Sequence, residues 1–389
     1  VVAGQVAISQ TSTATSATMN VNQTSQRAVV NWDSFNVGKD ATVTFNQPNA
    51  SAVTLNRVTG ANASVIDGVV RANGQVILVN PNGVTFGKGA QIDAAGVVAS
   101  TLNISNKDFM DGKSTYTGGS TGAVVNQGKI TANSKDGYIA LLAPEVRNEG
   151  YLLANKGPGN AVAMASGEKI TLDFRGDQLI SVKVDQATYR GLLENKRLIE
   201  VPGGLIVVAA GSAGRLMATT INNTGVVSAS SVVDRGGVVE FVASSINQAG
   251  AVAASGKGVI SNGGAITMVG DNINLASGSK TVATGGANGG VINIGTSAVS
   301  YTQNVNGLRS NVVAKDLANT TTIADNALVD ASSTSMGNGG QINVWSSLKT
   351  TIAGTLKAMG GALGGNGGFI ETRDRKSTRL NSSHANVSR

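Results

Sequence analysis

The chain has no cysteine and a single histidine, His384, close to its C-terminus. Without thiols there is no disulfide framework, no cysteine zinc site and no sulfur nucleophile. Without histidine in the body there is no Ser/His/Asp triad, no Cys/His pair and no histidine metal centre. No cofactor or metal is therefore expected. Aromatic residues make up only 4%, charged residues 14%, and there are five prolines in 389 residues. Those shortages exclude a coiled coil, a proline-rich linker and a charge-rich disordered chain. No stretch approaches the ~18 consecutive apolar residues of a membrane-spanning helix. The N-terminus, Val1-Val2-Ala3-Gly4, carries neither an initiator Met nor the basic and apolar segments of a signal peptide, which is expected upstream.

What is abundant is glycine, 51 residues, about twice the usual share. The apolar fraction, 41%, is mostly Val, Ile, Ala and Leu, which suits the thin core of a solenoid filled by small branched side chains. The net charge of +7 is concentrated partly in the tail, where Asp374 is outnumbered by Arg375, Lys376, Arg379 and Arg389. Elsewhere it is spread thinly, without Lys/Arg clusters interleaved with aromatics, so no nucleic-acid partner is expected. Residues 374–389 lack the periodicity of everything before them and read as a non-native, adapter-derived tail. They are set apart from the fold, and His384 receives no role.

Internal repeats decide the architecture. One series places Gly-Gly before an apolar strand, at Gly236-Gly237, Gly263-Gly264, Gly289-Gly290, Gly339-Gly340 and Gly367-Gly368, with gaps of 27, 26, 50 and 28 residues. Another reads Asn-x-Gly, strand, Ala, beginning at Asn126, Asn148 and Asn223, with a degenerate copy at Asn195. Between the glycines lie short β-branched runs such as Val238-Val239-Glu240-Phe241-Val242, apolar at alternate positions as in strands with one buried face. Three short strands per period of ~25 residues make one coil of a parallel β-helix. Glycine and asparagine fit its corners because they tolerate positive φ, and stacked asparagines bond along the axis as a ladder. Helical periodicity is confined to Gln186–Arg197. The charged stretch 168–200 is expected to project as a loop or hairpin with a solvated surface, and the polar insertion Asp108–Gly119 to share that fate.

Residues 20–102 are less repetitive. They carry Asn31-Trp32, Phe35, Phe45 and Asn56-Arg57-Val58, then Leu78-Val79-Asn80-Pro81-Asn82-Gly83-Val84-Thr85-Phe86-Gly87. The Asn80-Pro81-Asn82-Gly83 run suits a type I turn, with Pro81 presetting φ at its second position. Trp32, Phe35, Phe45 and Phe86 are expected to plug the open N-terminal end of the solenoid, because an uncapped end presents unpaired strand groups.

This block resembles the two-partner secretion domain, also called the haemagglutination activity domain, of filamentous haemagglutinin-like exoproteins. It is most similar to the branch containing the high-molecular-weight adhesins of Gram-negative bacteria. The matching positions are Asn80, Pro81, Asn82 and Gly83 as the secretion motif, with Asn31, Trp32, Phe35, Asn56 and Arg57 in family order. The likeness runs on to Gly367-Gly368-Phe369-Ile370-Glu371-Thr372, and Arg373 departs from it. The resemblance implies an all-β, right-handed parallel β-helix, and a secreted or cell-surface destination reached through the periplasm. It also implies an outer-membrane β-barrel transporter with POTRA domains as partner, and a host glycan or protein receptor met by downstream regions. Residues 1–133 then form the secretion region with its cap, and 134–373 continue the coils.

Two other readings share the architecture. An autotransporter adhesin passenger would need no Asn-Pro-Asn-Gly block. A polysaccharide-active enzyme would gather carboxylates in one groove, whereas here they are scattered, with Asp173 and Asp177 the closest pair in the charged stretch. Absence of cysteine suits export through a narrow pore, where a disulfide closed beforehand would obstruct passage.

Overall fold

The computed structural model describes residues 1–186, 188, 191–210, 219–232, 236–303 and 309–374. The tail from Arg375 onward, with His384, lies outside the described residues, as do positions 187, 189 and 190 of the Gln186–Arg197 segment. Asp374 ends a strand, Phe369–Asp374. The chain divides into two compact units, Val1–Ser212 and Ala213–Arg389.

In the first unit each turn of chain contributes three short strands, and each strand pairs in parallel with its counterpart one turn on. The first row runs through Val69–Ala72, Gln91–Ala94, Lys129–Ala132 and Tyr151–Ala154. The central row stacks Val53–Val58, Gln75–Val79, Gly96–Ser100, Tyr138–Leu142, Ala161–Ala165 and Leu205–Ala210. The third stacks Val84–Phe86, Ala123–Asn126, Glu145–Asn148 and Leu192–Asn195. This is a parallel β-helix, as the repeat pattern requires. Leu192–Asn195 is strand rather than helix, because Leu193 is needed inside the coil, where it is fully buried.

The N-terminal end is closed by main chain, not by an aromatic plug. Val6–Ser12 pairs antiparallel with Ala17–Gln23, and Ala3 bridges Val29, whose N–H donates to the Ala3 carbonyl at 2.8 Å. Both contacts occupy edge groups that would otherwise template further pairing. Phe45 and Phe86 sit inside the coils, buried with the branched aliphatics. Only Trp32 and Phe35 meet, edge to face, with ring centroids 5.5 Å apart.

The two polar excursions also differ from the sequence expectation. Asn106–Met110 is a short helix, with Ser105 capping it through the Asp108 N–H. Thr115–Thr117 pairs with Lys169–Arg175, which pairs in turn with Gln178–Gln186, giving a three-stranded antiparallel sheet. It does not project. Phe109, Tyr116, Ile170, Leu172, Leu179 and Val184 are buried, and Phe174 stands edge-on to Tyr138 of the central row at 5.0 Å. The charged residues of 168–200 alternate with these apolar ones, so one face of the sheet is solvated while the other covers the coils. Beyond the sheet, Glu194 and Lys196 return to the helix wall and form ion pairs with Arg147 (3.6 Å) and Glu149 (3.0 Å).

The second unit repeats the three-row plan with Ala251–Ala253, Ala265–Val269 and Asn272–Leu275 and their counterparts. The five Gly-Gly pairs of its repeat are there for space rather than for positive φ, since none of those ten glycines has a left-handed backbone. A Cβ at Gly264 would overlap the Gly237 carbonyl, and one at Gly290 the Gly264 carbonyl. The second glycine of each pair donates to an alanine carbonyl at the end of the preceding strand, as Gly264 does to Ala254 and Gly340 to Ala331, both at 2.7 Å.

The expected asparagine ladder is present in the first unit. Asn126 donates to Asn148, and Asn148 to the degenerate-repeat Asn195, each at 2.8 Å and each buried.

Candidate functional site

The nine family-matching residues come from three successive turns of the first unit and gather where the central row ends. Strand register explains this. Asn31 stands opposite Arg57 and Arg57 opposite Val79, the residue before the turn. Parallel in-register pairing thus brings Asn31-Trp32, Asn56-Arg57 and Asn80 to one corner.

Asn80 is fully buried there. Its N–H donates to the Ser100 carbonyl at 2.9 Å, and its side-chain amide donates to the Asn62 carbonyl and the Ser64 hydroxyl, both at 3.0 Å. Its Oδ1 accepts the Asn82 N–H at 3.0 Å, and the Gly83 N–H closes the turn onto the Asn80 carbonyl at 3.0 Å. Those bonds define the tight turn expected from Asn-Pro-Asn-Gly. Gly83 has φ of +119°, a region that favours glycine. Pro81 and Asn82 are exposed at the tip, where the Asn82 amide reaches the Gly60 carbonyl at 2.9 Å and Ser120 donates to the Pro81 carbonyl at 2.6 Å.

One turn earlier, Arg57 spreads its guanidinium over four acceptors. Nε donates to Asn103 (2.9 Å), one terminal nitrogen to Asn106 (2.6 Å) and Asn31 (3.4 Å), and the other to the Ile104 carbonyl (2.6 Å). It thereby ties the coil wall to the segment entering the short helix. Partial burial lowers its pKa from the ordinary arginine value. Asn56 is buried, and its Oδ1 accepts the Trp32 indole N–H at 3.0 Å. Phe35 packs against Trp32, and Asn36 Oδ1 accepts the Val65 N–H at 2.8 Å.

Asn36, Asn62, Asn103, Asn106 and Ser120 complete this corner; Asn36 follows Phe35 in the run that resembles the family, and nothing in the sequence marks out the other four. Polar residues in loops carry no periodic signal, and three of these five lie in the insertions between strands. Gln47, two residues after Phe45 in the same N-terminal block, donates through its buried amide to the Ala52 and Gln75 carbonyls (3.1 and 3.0 Å).

A concavity of about 70 Å³ opens where the antiparallel sheet meets the central row, lined among others by Arg27, Gln75, Phe109, Tyr116, Tyr138 and Phe174. Arg27 lies over the Phe109 ring and donates to its carbonyl at 2.9 Å. Burial pushes the phenols of Tyr116 and Tyr138 far above their ordinary pKa, so both remain neutral. Asp173 is occupied by the Ser181 hydroxyl on the outer hairpin. Among the described residues no group of three or more His, Asp or Glu side chains is placed to hold a metal.

Comparison with known proteins gives a consistent result. The family model for the TPS secretion domain matches residues 3–254. A heme/hemopexin-binding protein of Haemophilus influenzae strain Rd is 34% identical over 188 residues, which is 47% of this chain and 20% of that protein. A second heme/hemopexin-binding protein from Haemophilus influenzae is 46% identical over 101 residues, 26% of this chain and 11% of the other. The matched regions thus span a fifth or less of those relatives. The crystal structure of the HMW1 secretion domain from Haemophilus influenzae superimposes with a TM-score of 0.78 at 27% identity, covering 95% of this chain and 92% of that one.

Proposed function

The chain belongs to the TPS secretion domain family, and from that premise we propose that it is read by an outer-membrane β-barrel transporter through the Asn80–Gly83 corner and starts β-helix folding outside the cell. It is a non-enzymatic secretion module of a secreted exoprotein. The whole protein, on this reading, is a large adhesin of filamentous haemagglutinin type whose receptor contacts lie further along the chain. Residues 1–133 are the region read by the transporter and its POTRA domains, 134–373 the continuing coils, and 374–389 a non-native tail.

The observation that carries the proposal is the division of labour within the motif. Asn80 is buried and spends its hydrogen-bonding groups on neighbouring turns, while Pro81 and Asn82 are exposed at the tip. A motif recognised in the extended chain becomes, after export, the staple that holds the third turn to the second and fourth. Each further coil then buries apolar surface at about 25 cal/mol per Å², which biases the threading chain outward without nucleotide hydrolysis. Arg57 holds the same corner to the helix-bearing insertion, so folding of the first turns is coupled to folding of the later ones.

The test is export of residues 1–373, placed behind a signal peptide, in cells with and without a transporter that exports a close relative. Barrel-dependent release is expected, and Asn80→Ala or Asn82→Ala is expected to abolish or strongly reduce it. The purified, refolded variants separate the two roles. Asn80→Ala should lower stability by about 1–3 kcal/mol, because buried groups lose their partners, whereas the exposed Asn82→Ala should change it by less than about 0.5 kcal/mol. Release of both variants at the native level would overturn the assignment of the motif.

A further inference from the structure

We propose that the outward face of the third strand row in the Ala213–Arg389 unit is a docking strip for a neutral, linear polysaccharide. The row consists of Thr220–Asn223, Ser245–Gln248, Asn272–Leu275, Ala318–Ile323 and the C-terminal half of Gln341–Ile352, in parallel register. Alternation sends Ile221, Ile246, Ile273 and Ile323 inward. The residues left facing outward form two ranks. One is Thr220, Ser245, Asn272, Thr320 and Lys349, the other Asn222, Asn247, Asn274, Thr322 and Thr351. Nine of these ten positions are hydroxyl or amide side chains, none is apolar, and the sole charge stands at the end of one rank.

Register fixes the geometry of this array. Successive members of a rank are separated by the strand spacing of ~4.8 Å, and the two ranks by two residues of rise, ~6.8 Å. Some neighbours already bond along the rank, Asn247 to Asn222 at 2.9 Å and Thr320 to Asn272 at 2.8 Å. The corresponding row of the first unit is unlike it, carrying Glu145, Arg147 and Glu194 in ion pairs.

The occupant follows from size and charge. Five strands at ~4.8 Å and two residues of width amount to roughly 160 Å², well below the ~1,000 Å² of a stable protein interface. The strip also offers no apolar anchor of the kind that dominates protein hot spots. With Lys349 at one end as its single charge, the strip itself offers little complementarity to an acidic polymer. A linear neutral glycan fits instead: it is narrow and uncharged, and it presents hydroxyls at a regular repeat that ranks of amides and hydroxyls can meet with hydrogen bonds.

The experiment is affinity electrophoresis of the full chain through gels containing a β-1,4-glucan, a β-1,3-glucan, a β-1,4-mannan or heparin. Retardation by at least one neutral polymer and none by heparin is expected. Asn274→Glu combined with Thr322→Glu should weaken that retardation about tenfold or more while moving the melting temperature by less than about 2 °C, and Asn274→Gln should preserve it. The proposal is overturned if no neutral polymer retards the chain, if heparin alone does, or if the double variant behaves as the native chain. Sedimentation showing dimers that the double variant dissolves would assign the strip to a second copy instead, and would equally overturn it.

Discussion

The central strand row is buried on both faces in the first unit, whereas in the second it alternates from Val238 to Ile294 and is buried throughout only at residues 342–346. Gly96–Ser100, Tyr138–Leu142 and Ala161–Ala165 have every residue buried. Val238–Ala243 and Ala265–Val269 alternate between buried and partly exposed positions. The sequences differ accordingly: Tyr138-Ile139-Ala140-Leu141-Leu142 is continuously apolar, whereas Ala265-Ile266-Thr267-Met268-Val269 interposes a threonine. A continuous apolar run in a parallel sheet announces a second covering layer, and here that layer is the antiparallel sheet formed by Thr115–Thr117 and Lys169–Gln186. On the proposed route, in which coils stack outside as they arrive, the outer face of the first unit stays bare until residue 186 has emerged.

Removing the cover should destabilise the first unit severely. Replacing residues 169–186 with a short Gly/Ser linker exposes the apolar outer face, and a loss of more than about 5 kcal/mol is expected, comparable to the stability of a typical domain. Urea unfolding followed by circular dichroism would report it. The equivalent replacement of the hairpin Ala298–Gln303/Arg309–Lys315 in the second unit should cost under about 1 kcal/mol. Similar losses from both deletions would mean that the cover contributes nothing beyond an ordinary surface hairpin.

A single charge sharpens the contrast. Ala163 faces the cover and is fully buried, so Ala163→Lys places an ammonium without a partner in an apolar layer and should cost about 3 kcal/mol or more. Thr267→Lys, at an outward position of the same row in the second unit, should stay within about 0.5 kcal/mol. Thermal melts of the two variants side by side would show whether only one face is closed.

The smallest expected effect is one of opposite pH dependence. Glu149, in the first unit, is held below the usual glutamate pKa by hydrogen bonds from Lys196 and then Gln127. Its contribution is fully present above the unfolded pKa and is lost as pH falls through the lower folded one. Glu240, in the second unit, is raised by burial. There the folded state holds the proton more tightly, so stability falls as pH rises from the unfolded pKa through the folded one. Stability measured from pH 3 to pH 7 should therefore show Glu149→Gln flattening the acid side and Glu240→Gln stabilising the neutral side. The same sign for both would contradict these environments.

Much of this fold is legible in the amino-acid pattern. The Gly-Gly and Asn-x-Gly periods set the coil length, and β-branched alternation marks the strands. The asparagine ladder can be read from repeats as degenerate as Asn195. The physical role of the repeat glycines is not legible, because a tolerance for positive φ and a need for close main-chain approach leave the same residue in the sequence. Nor is the N-terminal cap, since Phe45 and Phe86 read equally well as coil interior or as plug until strand register places them inside.

Period, strand-rich character and the absence of thiol chemistry follow from local pattern and composition alone. Which residues meet depends on the path of the folded chain. Arg57 finds Asn103 and Asn106 nearly fifty positions away, and Thr115–Thr117 finds Lys169–Arg175 across two full coils. The polar excursions became a covering sheet for the same reason: their apolar faces cannot remain in water once in-register stacking has laid an apolar surface beside them.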